Sequence, residues 1–373
     1  MDIPFVDLKR QLKPLMPKIQ AAMNNVIERC KFIGGPEVNA FEKQMARWLG
    51  VSEVCGASSG TSSITLTLQA LGIGRGDEVI TAPNTDFATS EAINNTGANV
   101  VFADITPGYF NLDPQAAEQA ITPKTGAVIP VHLFGIPADM DAFTALGKKH
   151  NLHIIEDCAQ AQGARWDEQQ VGSIGTAGVF SFFPTQTLGA FGDGGAVASS
   201  DRELIKKVRM LANHGRRSKY THEIVGTNSR LDTLKAAQLS ICLENIDQWN
   251  QERRDAADLY NELLEPYAAI SRPQVPADSG PVWHLYVIRH KNRDGLASFL
   301  KEKGISTGLH YPLPLHRQPV YRNLEFKEGS LPESESACRE VLSLPMFPKI
   351  TPEEIKAVVS AIAQFLGRRK RVS

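Results

Sequence analysis

The stretch AVIPVHLFGIPADMDAFTALGKKHNLHIIED, Ala127 to Asp157, decides the fold. It opens on a β-branched run, Ala127–Leu133, and closes on another, His153–Asp157. Between them Met140–His150 repeats apolar residues three and four apart, just after Asp139. Strand, crossover helix and strand form the unit of a parallel sheet. Outward from it, the same alternation runs from about residue 50 to residue 212. Further strands are expected at Val54–Ala57, Glu78–Thr81, Val100–Asp104, Gly178–Phe183 and Ala196–Ser199, and further helices at Thr61–Leu71, Asp113–Ala120 and Arg202–Asn213. The expected class is therefore α/β, a doubly wound and mostly parallel sheet. A helical pattern then runs from Asp232 to about Leu264, ahead of Pro273, Pro276 and Pro281. A boundary between 245 and 255 is expected, dividing a large domain, residues 1–250, from a small C-terminal α+β domain, residues 251–373. The small one has a strand at Trp283–Arg289 and helices at Leu296–Lys303 and Pro352–Leu366.

The 373 residues suffice for two such units. With 40 Lys plus Arg against 41 Asp plus Glu, the chain has no net field to hold a polyanion, which argues against nucleic acid. No apolar run approaches the length of a membrane span, and MDIPFVDLKRQL lacks the basic and apolar parts of a signal peptide, so a cytoplasmic location is expected. Cys30, Cys55, Cys158, Cys242 and Cys338 are odd in number and include no C-x-x-C pair, so reduced thiols are expected, with no zinc cluster or disulfide framework. The basic tail, Arg368 to Arg371, reads as a solvated terminus.

In an open parallel sheet ligands sit beyond the carboxyl ends of the strands. Three segments there are unusual. Ser58-Ser59-Gly60-Thr61-Ser62-Ser63 offers hydroxyls and free N–H groups to a phosphate, or caps a helix. Ile154-Ile155-Glu156-Asp157-Cys158-Ala159-Gln160 ends a strand on two acids that point to opposite sides. An acid there binds a metal, caps a helix or pairs with a protonated ring nitrogen. Phe180 to Ala196 runs from a strand through Ser181-Phe182-Phe183-Pro184 into the glycines Gly192, Gly194 and Gly195. Their spacing fails the dinucleotide fingerprint, which disfavours a nicotinamide dehydrogenase.

Together these segments resemble the DegT/StrS family of sugar aminotransferases. The likeness starts at Ile3-Pro4-Phe5-Val6-Asp7-Leu8 and ends at Gly308-Leu309-His310-Tyr311-Pro312 and Leu315-His316. The resemblance implies the aspartate-aminotransferase fold, fold-type I, and pyridoxal 5′-phosphate as cofactor, held as such, as pyridoxamine phosphate or as an external aldimine. It implies that Gly60, Thr61 and Ser181 hold the phosphate, Asp157 the pyridine N–H and Gln160 the ring O3′. It implies a homodimer with shared sites, in which Asn228 reaches the neighbour's phosphate and Arg230 its sugar. His310 and Tyr311 would meet the substrate, a small keto- or amino-sugar, with an amino acid, glutamate, as donor. The run Leu188 to Gly195 is similar to members acting at C3 of nucleotide-linked hexoses. C4 amination and a keto-sugar acid stay open.

Two departures stand out. Many relatives place an aromatic after the first threonine of Thr85-Asp86-Phe87-Ala88-Thr89, where it stacks on the cofactor; this chain places Asp86 there, grouped with the cofactor-binding residues, and Phe87 one place later. The Schiff-base lysine is expected two residues after Pro184, where this chain has Gln186, and no lysine lies between Lys149 and Lys206. An amide is neither nucleophilic nor basic enough for transamination. Three explanations compete. The favoured one is an engineered Lys-to-Gln replacement that binds without turnover. The others are a natural non-catalytic, regulatory binder and an altered chemistry.

Overall fold

Seven segments pair into one sheet in a computed structural model of the chain that describes residues 2–369. The basic tail lies outside the described residues at Lys370 and Arg371, and the side chains of Arg368 and Arg369 are likewise not described. The strands are β1 Glu53–Ala57, β2 Glu78–Thr81, β3 Asn99–Phe102, β4 Thr125–Ile129, β5 His153–Asp157, β6 Ala177–Ser181 and β7 Gly195–Ser199. Their spatial order is β1-β7-β6-β5-β4-β2-β3. Only β7 runs against its neighbours. All seven expected strands exist, with ends shifted by a few residues. The largest shift is in β4, where Pro130, unable to donate to a ladder, ends the strand before Leu133.

Successive side chains of a strand face opposite ways, and this sheet uses both faces. Val54, Ile80, Val128, Ile154 and Phe180 enter one apolar cluster with Phe41, Met45, Phe143 and Leu239. Cys55, Val79, Ala127, Ile155 and Val179 enter another with Ile64, Leu68, Ile93 and Val208. Helices therefore cover both faces, as a parallel sheet requires. The helices Met16–Arg29, Pro36–Leu49 and Phe87–Asn95 complete the cover and were not anticipated. The pattern read as one helix from Asp232 is two, Thr233–Leu243 and Ile246–Leu264, broken where Asn245 departs to φ −114°, ψ 0°.

The second of these helices joins two cores. Ile246 and Trp249 pack with the sheet, whereas Tyr260 and Leu264 pack in a third cluster with Tyr286, Leu300, Leu344, Phe347 and Ile362. Ile3, from the chain's start, belongs to that third cluster and pairs with Ile305. The strand expected at Trp283–Arg289 starts only at Tyr286, because Trp283 has a left-handed φ of 51°. Four cysteines are buried free thiols and Cys30 is exposed. No described helix is long and apolar enough to cross a membrane.

Behind the end of β5, Glu156 is fully buried and accepts four hydrogen bonds. Its donors are the amides of Gly172 (2.7 Å), Ile174 (2.8 Å) and Gly175 (2.7 Å), and His132 Nε2 (3.2 Å). His132 Nδ1 accepts from Ala138 N at 3.0 Å, which assigns the ring proton to Nε2. His132, Glu156 and Cys158 lie close enough to suggest a metal site. The carboxylate's hydrogen bonds and the occupied Nδ1 already use those atoms. Glu156→Ala would leave one buried and two part-buried amides unpaired, and denaturant unfolding should show a loss of about 3 kcal/mol.

Candidate active site

A cavity of 460 Å³ opens at the carboxyl ends of β5 and β6, where the topology places ligands. Its lining includes nine of the residues singled out above: Gly60, Thr61, Asp86, Asp157, Gln160, Ser181, Gln186, His310 and Tyr311. One end is a helix N-terminus. Ser59 and Ser62 form a reciprocal capping box ahead of the helix Gly60–Ala70, so the capping role weighed for this loop is real. The approach of that helix to β6 is close: a Cβ on Gly60 would lie 2.7 Å from Ser181 Cβ. Only glycine lets the loop come this near, which sets its N–H groups and the Thr61 and Ser181 hydroxyls around one anion-sized space.

The floor is Asp157, buried at the end of β5. Its Oδ2 accepts from Thr89 Oγ1 at 2.9 Å and its Oδ1 from Ala159 N at 3.1 Å. Burial holds this carboxyl above its usual range, and these hydrogen bonds offset the effect only in part. A buried acid facing a cavity with no cationic partner is suited to a protonated ring nitrogen. Beside it, Gln160 is oriented by its neighbours: Oε1 accepts from Phe134 N at 2.7 Å and Nε2 donates to Tyr311 Oη at 3.2 Å. His310 Nδ1 lies 2.8 Å from Ser343 Oγ, and its ring stacks on Phe5. Burial lowers the His310 pKa and raises that of Tyr311 beyond the ordinary phenol range.

The donors, the acid and the glycine cradle fit the non-covalent parts of a pyridoxal phosphate. The covalent part does not fit. Gln186 lines the wall, half-buried, with Oε1 facing Gln162 Nε2 at 3.4 Å, and none of the lining residues is a lysine. Lys149 pairs with Glu118 and Lys206 with Glu203, both on helices away from this wall.

Asp86 lines the cavity and caps the helix Phe87–Asn95 through Ala88 N at 2.9 Å. Phe87 opens that helix, is partly exposed, and turns to Tyr321 instead of the cavity. The position therefore supplies no stacking ring. Asn228 and Arg230 do not line the cavity of their own chain. Asn228 is exposed, and Arg230 Nη1 donates to Asn213 Oδ1 at 3.1 Å while its Nε is buried without a partner. Their segment touches the Ser58–Ser63 loop through Ser229, whose Oγ lies 3.0 Å from Ser58 Oγ.

Three residues of the site were not anticipated. Thr89 follows from a helix capped by Asp86, which the sequence reading lacked. Gln162 lies two residues past Gln160; it is fully buried and donates to Ser181 O at 2.7 Å. His284 comes from a distant segment with no local signal.

Removing the Asp157 charge should have opposite effects on stability and on binding. A carboxyl raised by burial contributes most below its ordinary pKa, and that contribution is lost as pH rises through the raised value. Asp157→Asn should therefore raise the melting temperature of the cofactor-free chain at pH 7, with the gain fading on acidification. The same variant should bind pyridoxal phosphate about tenfold to a hundredfold more weakly by fluorescence titration.

Comparison with known proteins shows the family and the fold. Residues 15–363 match the DegT/DnrJ/EryC1/StrS aminotransferase family. A pleiotropic regulatory protein of Geobacillus stearothermophilus is 46% identical, over 98% of this chain and 99% of its own. The dTDP-3-amino-3,4,6-trideoxy-alpha-D-glucose transaminase of Streptomyces venezuelae is 43% identical over 98% and 97%. The crystal structure of DesV from S. venezuelae, in complex with a ketimine intermediate, superposes with a TM-score of 0.96 at 43% identity, covering 98% of each chain. With its fold-type I architecture and a cavity that fits the non-covalent parts of pyridoxal phosphate, the chain belongs to the DegT/DnrJ/EryC1/StrS family of sugar aminotransferases.

Proposed function

We propose that the chain is a sugar aminotransferase in which amino transfer, from glutamate to a nucleotide-linked 3-keto hexose, is blocked at position 186. The observation that carries this reading is an otherwise complete polar cavity with an amide at the place of the amine. Pyridoxal phosphate supplies an electron sink and the carbonyl that accepts the amino group. The residues of this chain would do the rest. Gly60, Thr61 and Ser181 would bind the phosphate, Asp157 would keep the ring nitrogen protonated, and Gln160 would hydrogen-bond the ring oxygen. Gln186 can hydrogen-bond, but near neutral pH it can neither attack a carbonyl nor carry a proton. Retention of every other polar group supports a replacement of the parent's lysine, because disuse would not preserve them together. The 3-amino sugar in the name of the S. venezuelae relative supports the carbon assigned.

The same proposal includes the division into residues 1–250 and 251–373, supported by the separate apolar clusters that meet along the helix Ile246–Leu264. It includes a cytoplasmic homodimer. Asn228 and Arg230 stand outside their own cavity, and the buried, partnerless Arg230 Nε supports their serving a neighbour's site. The 46% identity to a regulatory protein favours a second reading, a binder whose cavity senses a cofactor or sugar.

Absorbance spectra separate the two. With pyridoxal phosphate, Gln186→Lys should develop a band at the visible edge that glutamate abolishes, and the unsubstituted chain should show neither change. A silent variant would favour the binder. Analytical ultracentrifugation at working concentration should give a dimer; a monomer would exclude the shared site.

A further inference from the structure

We propose that the corner of the cavity formed by His284, backed by the buried guanidinium of Arg253, receives the α-carboxylate of the amino-acid donor. This rests on the aminotransferase reading and deepens it. Arg253 is 1% exposed and lies in the helix Ile246–Leu264. Its Nη1 donates to the carbonyls of Trp283, His284 and Met346, each at 3.3 Å, and its Nε has no partner. No carboxylate among the described residues pairs with it. Its hydrogen bonds all go to carbonyls, Glu252 acts on it only through its field, and a buried cation with no paired carboxylate favours an anion nearby.

His284 is the cavity-lining residue next to that charge. It is 8% exposed, its Nδ1 is sealed without a partner, and Nε2 is therefore the ring atom left to meet a ligand. Burial, together with the fields of Arg253 and His310, keeps the ring neutral. With Nδ1 sealed and unpartnered, the tautomer that can donate to a ligand is the one with the proton on Nε2, and we assign it there. The ring thus offers a donor, and Arg253 behind it offers the balancing charge.

The corner is also held rigidly. Val282 N donates to Gly135 O at 3.0 Å and Leu285 N to Phe134 O at 3.3 Å. Gly135 has φ +88°, and a Cβ on it would lie 2.8 Å from His284 N, so the two segments touch through backbone. Phe134 N in turn fixes Gln160, so His284 is tied to the ring-binding side of the cavity. The phosphate cradle at Gly60 and Ser181 uses other elements. An anion at His284 would therefore be a second one, bound beside the ring.

Glutarate, which has the carboxylates of glutamate without the amine, tests the assignment by calorimetry on the full chain, with and without pyridoxamine phosphate. The unsubstituted chain should bind it, His284→Leu should weaken binding about tenfold to a hundredfold, and His284→Gln, which keeps an N–H donor, should recover part of the loss. If the unsubstituted chain does not bind glutarate, or binds it no better than His284→Leu, the assignment is wrong. Pyridoxamine phosphate is titrated separately: its failure to bind would sink the aminotransferase reading, and intact cofactor binding with unchanged glutarate binding would sink only the corner. Should His284→Leu not fold, the ring nitrogens of isotope-labelled histidine in the unsubstituted chain decide. Glutarate should shift the His284 signals, and unmoved signals would overturn the proposal.

Discussion

Two adjacent carboxylates at the end of β5 organise the molecule because a strand turns successive side chains to opposite faces. Glu156 goes behind the sheet, where it gathers the amides of residues 172, 174 and 175 and the ring of His132. Asp157 goes into the cavity. The first is fully hydrogen-bonded and holds the segments around the strand's end in place. The second is left in a setting that burial makes unfavourable for a charge, one that a cationic ligand in the cavity would relieve. One strand end therefore carries both the support of the site and its chemistry.

From Asp157 the site extends through backbone-anchored side chains. Gln160 cannot rotate freely, because Phe134 N occupies its oxygen and Tyr311 its amide. Phe134 and Gly135 then pair with residues 282–285, which Arg253 holds from the other side. Segments far apart in sequence thus meet on one wall. On the opposite wall Gln162 holds Ser181 O and faces Gln186, with Thr187 donating to its oxygen. A side chain at 186 is thereby aimed at the cavity whether it ends in an amide or an amine.

Much of this was legible in the sequence, for physical reasons. β-branched runs alternating with helical periodicity fix a parallel sheet, and ligands then belong at the strand ends where Ser58–Ser63, Asp157 and Ser181 lie. The alternation that separates Glu156 from Asp157 needs no tertiary information. Long-range packing was not legible. Nothing local marks His284 or Arg253: the His284 segment is placed by backbone bonds to Phe134 and Gly135, and Arg253 by carbonyls of Trp283, His284 and Met346, all distant in sequence. The short helix Phe87–Asn95 has too few apolar repeats to stand out in the sequence, yet Asp86 caps it and turns Phe87 toward Tyr321. The break at Asn245 falls within the stretch that packs on the sheet, Leu243 before it and Ile246 after it, and the change of core comes later, inside the helix Ile246–Leu264.

The central claim is that one side chain separates this cavity from a working aminotransferase. Borohydride reduction of the pyridoxal phosphate complex, followed by intact-mass and peptide-mass measurement, tests it most directly. The account predicts no stoichiometric pyridoxyl adduct on the unsubstituted chain and one adduct on Gln186→Lys, located at position 186. A stoichiometric adduct on another lysine of the unsubstituted chain, or none on the variant, would contradict it.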